Sequence, residues 1–171
     1  MNGYVQVYTG NGKGKTTAAI GLAIRAIGAG LKVFIGQFIK SGDYSELKAL
    51  ERISDLILVK QFGLGRFIKG SPNSEDIEAA KKGLNEIKNI ISSNEYNLII
   101  LDEANVAVSL GLFTDQDILE IISMKPGNIE IIITGRGASQ TIIEAADLVT
   151  EMKEIKHYYQ KGVEARIGIE K

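Results

Sequence analysis

The stretch YVQVYTGNGKGKTT, at residues 4–17, decides the fold class of this 171-residue chain. Its first five residues alternate around β-branched and aromatic side chains, which predicts a strand. The glycines of residues 9–14 then predict a loop, and apolar residues at helical spacing predict a helix over residues 15–29. A strand, a glycine-rich loop that closes on Gly-Lys-Thr and a helix, in this order, are typical of a phosphate-binding loop.

The loop offers several kinds of group to an anionic ligand. Its glycines let backbone N–H groups converge on phosphate oxygens, and the helix N-terminus adds the positive end of its dipole. Lys15 supplies a point charge, and the Thr16 hydroxyl is a candidate magnesium ligand. The candidate nucleotide-binding residues are Gly10, Asn11, Gly12, Lys13, Gly14, Lys15, Thr16 and Thr17. Thr9 stands at the usual place of the first motif glycine, so the loop is one residue short and should hold a phosphate chain differently from a kinase loop.

Beyond this loop, strand and helix patterns alternate along the chain. We expect strands at 32–37, 56–61, 97–102 and 129–134, helices at 44–52, 74–91, 114–124 and 139–146, and extended segments at 147–152 and 165–169. Such alternation predicts a three-layer α/β fold with a mainly parallel sheet, and ligands bind such sheets at the carboxyl ends of the strands. The length favours one domain spanning residues 1–171.

Three further charged residues fall at that edge of the sheet. Asp102 ends an apolar strand and places a carboxylate where a magnesium contact would be needed. Glu103 follows it and could either polarise a water molecule in an ATPase or ligate the metal. Arg136 lies between two glycines after the strand at 129–134, and its guanidinium could bind phosphate oxygens. A surface arginine in a turn is the alternative interpretation of Arg136.

Composition excludes several classes of function. The chain has no Cys, which excludes disulfides, thiolate metal ligands and cysteine nucleophiles, and one His, which excludes zinc sites with several histidines. The 20 Lys and Arg residues nearly balance the 21 Asp and Glu residues, so no overall field favours nucleic acid or an anionic membrane. No basic region followed by an apolar stretch opens the sequence, and no 18-residue apolar run occurs in it. We therefore expect a cytoplasmic protein without nucleic-acid or membrane partners.

Six blocks of sequence point to one family. They are GNGKGKTTAA at 10–19, LDE at 101–103, TGRG at 134–137, AADLVTEM at 145–152, KH at 156–157 and GIE at 168–170. In this order they resemble the P-loop type of ATP:cob(I)alamin, or ATP:corrinoid, adenosyltransferases, along nearly the whole chain. The resemblance implies a RecA-like P-loop fold and a transferase of cobalamin biosynthesis. That enzyme would move the 5′-deoxyadenosyl group of ATP to the cobalt of a reduced corrinoid and release triphosphate.

The resemblance also implies roles for individual residues. Lys13, Lys15 and Arg136 would be catalytic, because attack on ribose C5′ makes the triphosphate the leaving group and cations stabilise its developing charge. Thr16, Asp102 and Glu103 would hold Mg²⁺ or Mn²⁺. A homodimer and a flavin-type reductant protein are the expected partners besides ATP and the corrinoid. Phe62 and Phe67 are candidates for an apolar wall over the corrin, although family members often carry a Trp in this segment and this chain has none.

Three alternatives remain open from the sequence. Phe62 and Phe67 could simply cover the core beneath a long loop. The protein could be a small P-loop phosphotransferase or ATPase in which Glu103 orients a water molecule or an acceptor hydroxyl, and it would then form ADP without any corrinoid. It could also be an ATP-controlled binding module whose nucleotide state governs a partner.

Overall fold

The computed structural model describes residues 2–53, 55–66, 68 and 70–170, and at least one helix separates each strand from the next along that part of the chain. The strands are β1 (Val5–Thr9), β2 (Val33–Gln37), β3 (Ile57–Gln61), β4 (Leu98–Asp102), β5 (Glu130–Thr134) and β6 (Leu148–Glu151). The helices are α1 (Lys15–Gly28), α2 (Ser45–Glu51), α3 (Ser74–Ser93), α4 (Ala104–Ser109), α5 (Asp115–Met124) and α6 (Gln140–Ala145), followed by a 3₁₀ helix at Tyr158–Lys161.

The described strands form one sheet with the order β3-β2-β4-β5-β1-β6, and every neighbouring pair is parallel. Parallel neighbours bring the ends of sequence-distant strands together. Gln37 at the end of β2 pairs with Asp102 at the end of β4, and Tyr8 of β1 pairs with Thr134 of β5. The phosphate loop after β1 and the carboxylate at the end of β4 therefore share one edge of the sheet, as the expected fold requires.

Helices cover both faces of the sheet, which makes three layers. Alternate residues of a strand face opposite sides. Ile99, Leu101, Ile131 and Ile133 pack with residues of α3 to α6, whereas Ile100 and Ile132 pack with α1 and α2. Each fully buried isoleucine contributes about 2 kcal/mol of hydrophobic stabilisation. The continuous apolar runs of β4 and β5 thus follow from burial on both faces.

The predicted elements are confirmed apart from the C-terminal part of the chain and one short helix. Predicted and observed bounds agree within two residues from β1 to β6. The segment at 165–169 is not extended, and that prediction was wrong. It forms a turn in which Glu170 N–H donates to the Arg166 carbonyl over 2.9 Å and the Glu170 carboxylate bonds back to Arg166.

The helix α4 was not predicted because it carries no start signal of its own. It begins directly after β4 behind Glu103, which is in the left-handed conformation with φ of 61° and forms no side-chain cap. By contrast, α3 and α5 begin with capping boxes, Asn73 with Asp76 and Thr114 with Asp117. No helix within the described part of the chain combines the length and apolarity needed to cross a membrane.

Candidate functional site

Lys15 is held inside the phosphate loop by the loop's own carbonyl groups. Its Nζ donates to Gly10 O and Gly12 O, each over 2.7 Å, and the residue is only 7% exposed. Burial lowers the pKa of Lys15, and the charge of Arg136 acts in the same direction. A lysine ammonium has three donors, so these two contacts still allow a bond to a phosphate oxygen.

Gly10 and Gly12 are required by the close approach of the segment that follows β6. Gly12 N–H donates to Met152 O over 2.7 Å. A Cβ on Gly10, whose φ is 92°, would lie 2.5 Å from Met152 O, and one on Gly12 would lie 2.7 Å from the same atom. No side chain fits there, so the conformation of the phosphate loop depends on residues more than a hundred positions away.

The remaining loop residues differ in exposure. Asn11 and Thr17 are exposed, and Gly14 precedes α1 with φ of 119°. Lys13, the extra cation of the loop, is 40% exposed and bonds to the C-terminal segment, to Glu170 Oε1 over 2.8 Å and to Tyr158 OH over 3.0 Å. The bond to Glu170 raises the pKa of Lys13. A triphosphate that used Lys13 would have to compete with the Glu170 carboxylate.

The Asp102 carboxylate accepts hydrogen bonds on both oxygens and is 1% exposed. Oδ1 accepts from Thr16 Oγ1 over 2.8 Å and from Thr134 Oγ1 over 2.7 Å. Oδ2 accepts from Lys40 Nζ over 2.8 Å and from Gln37 Nε2 over 3.1 Å. Donors from β2, β5, α1 and the loop after β2 therefore fix this carboxylate beside the first turn of α1.

Lys40 is a site residue that sequence reasoning missed. It follows β2, its side chain is 19% exposed, and its Nζ also lies 3.2 Å from Thr16 Oγ1. Burial alone would lower the pKa of Lys40, but the charge and hydrogen bond of Asp102 outweigh it and raise that pKa. The missing signal was strand order, because only the pairing of β2 with β4 brings the residues after Gln37 to Asp102.

Glu103 adjoins Asp102 at the beginning of α4, and its backbone N–H donates to Thr134 Oγ1 over 2.9 Å. Burial raises the pKa of the Glu103 carboxyl, and the Asp102 charge raises it further against the opposing charges of Lys40, Lys15 and Arg136. The structure thus brings both predicted carboxylates and the predicted cations Lys15 and Arg136 into one electrostatic environment.

The oxygen donors Thr16, Asp102 and Glu103 form a set that suits Mg²⁺ or Mn²⁺. Both ions prefer carboxylate and hydroxyl oxygens, and Mg²⁺ commonly keeps water and phosphate oxygens in its shell. Among the described residues no group of three or more His, Cys, Asp or Glu could hold a metal by itself. This donor set therefore fits an ion that arrives with a nucleotide.

The loop that carries Arg136 rests on the beginning of α4. Asn105 Nδ2 donates to Gly135 O over 3.3 Å, and a Cβ on Gly135 would lie 2.9 Å from Val106 N. Gly135 is buried with φ of 131°, whereas Arg136 is exposed. This backbone contact leaves the Arg136 side chain at the surface, close enough to Lys15 and Glu103 to affect their pKa values.

Phe62 covers the core and also borders a small cleft. Its ring centroid lies 5.5 Å from that of Phe38, and a Cβ on Gly83 would lie 2.5 Å from Phe62 Cγ. Ile39 and Leu64 line the cleft beside it. Phe67 lies outside the described residues. A role for either phenylalanine in corrin binding stays a prediction.

The fold and the site define a P-loop nucleotide-binding protein. The crystal structure of a KaiC-like protein from Pyrococcus horikoshii OT3 matches 88% of this chain and 73% of its own with a TM-score of 0.61. The sequence identity between them is 16%, so the likeness shows the fold alone, and it confirms the expected RecA-like class.

Sequence comparison identifies the family. The family model described as ATP:corrinoid adenosyltransferase BtuR/CobO/CobP matches residues 1–170. The corrinoid adenosyltransferase of Escherichia coli K12 is 36% identical over 170 residues, which cover 98% of this chain and 85% of that protein. That of Pseudomonas aeruginosa is 34% identical over 169 residues, with 98% and 83% covered. The chain belongs to the ATP:corrinoid adenosyltransferase family, which makes it a transferase and confirms the prediction from the sequence blocks.

Proposed function

We propose that the edge formed by the ends of β1, β4 and β5 is where this transferase moves the 5′-deoxyadenosyl group of ATP onto the cobalt of a reduced corrinoid. The observation that carries this proposal is the junction of the phosphate loop with Asp102. Lys15 is buried within the loop, and Thr16, the next residue, bonds to Asp102 over 2.8 Å. The junction offers a cation and a metal-ligand pair to the same triphosphate.

The reaction forms one bond and breaks one. Co(I) supplies an electron pair to ribose C5′, the bond from C5′ to the bridging oxygen breaks, and its electrons leave with the triphosphate while cobalt becomes Co(III). Because negative charge grows on the departing oxygen, nearby fixed cations lower the barrier. Lys15 and Arg136 would supply that stabilisation, and Lys13 would add to it once released from Glu170. No proton needs to be abstracted, so the reaction calls for no general base.

The metal belongs to this proposal as well. Thr16, Asp102 and Glu103 would hold Mg²⁺ or Mn²⁺ together with phosphate oxygens, and the ion would neutralise charge on the triphosphate. The Glu103 carboxyl, whose pKa burial raises, would ionise more readily beside such an ion. This ligand role is one of the two that the sequence left open for Glu103.

Membership of the family brings ATP and a corrinoid as substrates. A position of Phe62 and Phe67 near the corrin ring, a flavin-type reductant protein and a second copy of the chain stay predictions. The same holds for a cytoplasmic location and for one domain over residues 1–171. Leu64, which is 47% exposed beside Phe62, offers an apolar contact to such a ring.

The test is an anaerobic reaction of the protein with ATP, Mg²⁺ and chemically reduced cobalamin. We expect a light-sensitive cobalt–carbon spectrum and one triphosphate released for each alkylated cobalt. A parallel reaction without corrinoid should release no triphosphate. Formation of ADP at the same rate with and without corrinoid would instead identify a phosphotransferase or ATPase.

A further inference from the structure

The Lys40 ammonium lies between the two oxygen groups that a metal would need. Its Nζ is 2.8 Å from Asp102 Oδ2 and 3.2 Å from Thr16 Oγ1. The Thr16 hydroxyl donates its proton to Asp102 Oδ1, so its contact with Lys40 uses an oxygen lone pair. A divalent cation bound to Thr16 would need a lone pair of that same oxygen.

The backbone after β2 directs Lys40 into this position. Phe38 N–H donates to Asp102 O over 2.9 Å and continues the pairing of β2 with β4. Ile39 then takes a left-handed conformation with φ of 68°, and Lys40 N–H donates to Phe38 O over 2.7 Å. The side chain is further covered by Tyr44, whose ring centroid lies 5.6 Å from Nζ. An isoleucine in this backbone conformation is uncommon, which indicates that the surrounding structure enforces the turn.

We infer that Lys40 is a tethered cation that occupies the metal position between Thr16 and Asp102 in the nucleotide-free protein and competes with a divalent ion for it. The inference rests on the proposed metal-ligand role of Thr16 and Asp102. With Lys40 in place the Asp102 charge is already neutralised, so a metal ion alone gains little by entering. A metal ion that arrives on a triphosphate brings further oxygen ligands, and the phosphates themselves can accept the displaced ammonium.

Lys40 is thus a positioning residue with two effects. Before nucleotide binds it holds Thr16 and Asp102 in their relative geometry, and it opposes the entry of metal without nucleotide. A purely structural lysine would contribute to stability but would leave the intrinsic metal affinity of the site unchanged. Metal binding in the absence of nucleotide therefore separates the two interpretations.

The experiment is a Mn²⁺ titration of the nucleotide-free protein at mildly alkaline pH, followed by the electron paramagnetic resonance signal of free Mn²⁺. We expect Lys40→Met to bind Mn²⁺ at least about tenfold more tightly than the wild type, because removal of a charge at contact distance strengthens cation binding. The double variant Lys40→Met with Thr16→Val should lose that gain. Lys48→Met, which removes a 65% exposed lysine from the neighbouring α2, should bind as the wild type does.

Two results would overturn the inference. One is equal or weaker Mn²⁺ binding by Lys40→Met, and the other is a gain that survives Thr16→Val, since the ion would then lie elsewhere. If Lys40→Met does not fold, as judged by circular dichroism, Lys40→Gln removes the charge while keeping a hydrogen-bond donor and carries the same expectation. The titration involves neither ATP nor corrinoid, so it can fail while the wild type still alkylates cobalamin, and it can succeed when the wild type does not.

Discussion

The Thr134 hydroxyl connects the Asp102 carboxylate to the backbone N–H of Glu103, the next residue along the chain. Thr134 Oγ1 donates to Asp102 Oδ1 over 2.7 Å, and the same oxygen accepts Glu103 N–H over 2.9 Å. One buried hydroxyl of β5 therefore fixes both the orientation of the β4 carboxylate and the left-handed turn at Glu103 from which α4 begins.

Thr134→Val should destabilise the protein more than Thr134→Ser. Valine keeps the shape but leaves the Glu103 N–H without its partner, at a cost of about 1–3 kcal/mol. Serine keeps the hydroxyl and loses one methyl group, at a cost of about 1 kcal/mol. Urea unfolding of both variants measures their free energies of unfolding and shows which variant is less stable. If packing alone mattered, valine would be the milder change and the order would reverse.

Lys15→Ala should weaken ATP binding and reduce turnover by on the order of 10²-fold, because the proposed function places this cation where the triphosphate develops charge. Calorimetry with ATP and a triphosphate-release assay measure both quantities. Lys82→Ala serves as the control, since Lys82 is 75% exposed and pairs with Glu78 one helical turn away. Unchanged kinetics in a folded Lys15→Ala protein would contradict the placement of the triphosphate.

Gly135→Ala should cost about 1–3 kcal/mol, because the new Cβ would lie 2.9 Å from backbone Val106 N at a φ of 131°. Relief of that contact requires the Arg136 loop to move, so the KM for ATP should rise as well. Gly127→Ala is the matched control. Its Cβ would meet nothing within 4 Å, and its stability should stay within about 0.5 kcal/mol of the wild type. Equal stability of the two variants would contradict the close contact between the Arg136 loop and the beginning of α4.

Asp117 gives a pH-dependent test of the α5 capping box. The Thr114 hydroxyl and N–H each donate to Asp117 Oδ2 over 2.7 Å, and these bonds hold the pKa of Asp117 below its ordinary 3.8. A lowered pKa stabilises the fold above pH 3.8, and this stabilisation disappears as the pH falls through the folded-state pKa.

Asp117→Asn should therefore cost on the order of 0.5 kcal/mol near neutral pH, because it removes a negative charge from the first turn of α5, and its difference from the wild type should vanish in acid. Denaturant unfolding over a pH series measures the difference in unfolding free energy between this variant and the wild type. Asp43→Asn, at a 92% exposed side chain, should stay close to the wild type throughout the series. A difference in unfolding free energy that is the same at every pH would rule out the charge of Asp117 as the cause of the destabilisation.

Glu170→Gln should loosen the C-terminal segment, because the Glu170 carboxylate accepts from Lys13, Tyr158 and Arg166. Amide hydrogen exchange over residues 158–170 should become faster. Lys13→Gln should have a smaller effect of the same kind, and the double variant should show less than the sum of the two because the residues share a contact. Strictly additive effects would mean that the pair does not act as a unit.

The parts of the fold that local sequence determines could be predicted. The Thr114 capping box, the alternating apolar residues of β1 and the glycines before Lys15 each act within a few residues, so their elements begin and end where the sequence indicates. The short helix α4 escaped because the chain turns at Glu103 through a contact with Thr134, which lies on another strand.

The site shows the same division. Thr16 and Asp102 were predicted from motifs, and the structure joins them directly. Lys40 was missed because its position depends on the pairing of β2 with β4. The contact of Glu170 with Lys13 was missed because the two residues lie 157 positions apart, although Glu170 belongs to one of the six sequence blocks. Neither contact leaves a periodic or local pattern in the sequence.

The contact of Gly10 and Gly12 with Met152 has a practical consequence for anyone who modifies this protein. A fusion partner or fluorophore placed just after β6 would press on the glycines that surround Lys15, and would disturb nucleotide affinity without touching the motif itself. Labels are better attached just before β3, at the opposite margin of the sheet and at the edge where the strands begin, away from the phosphate loop.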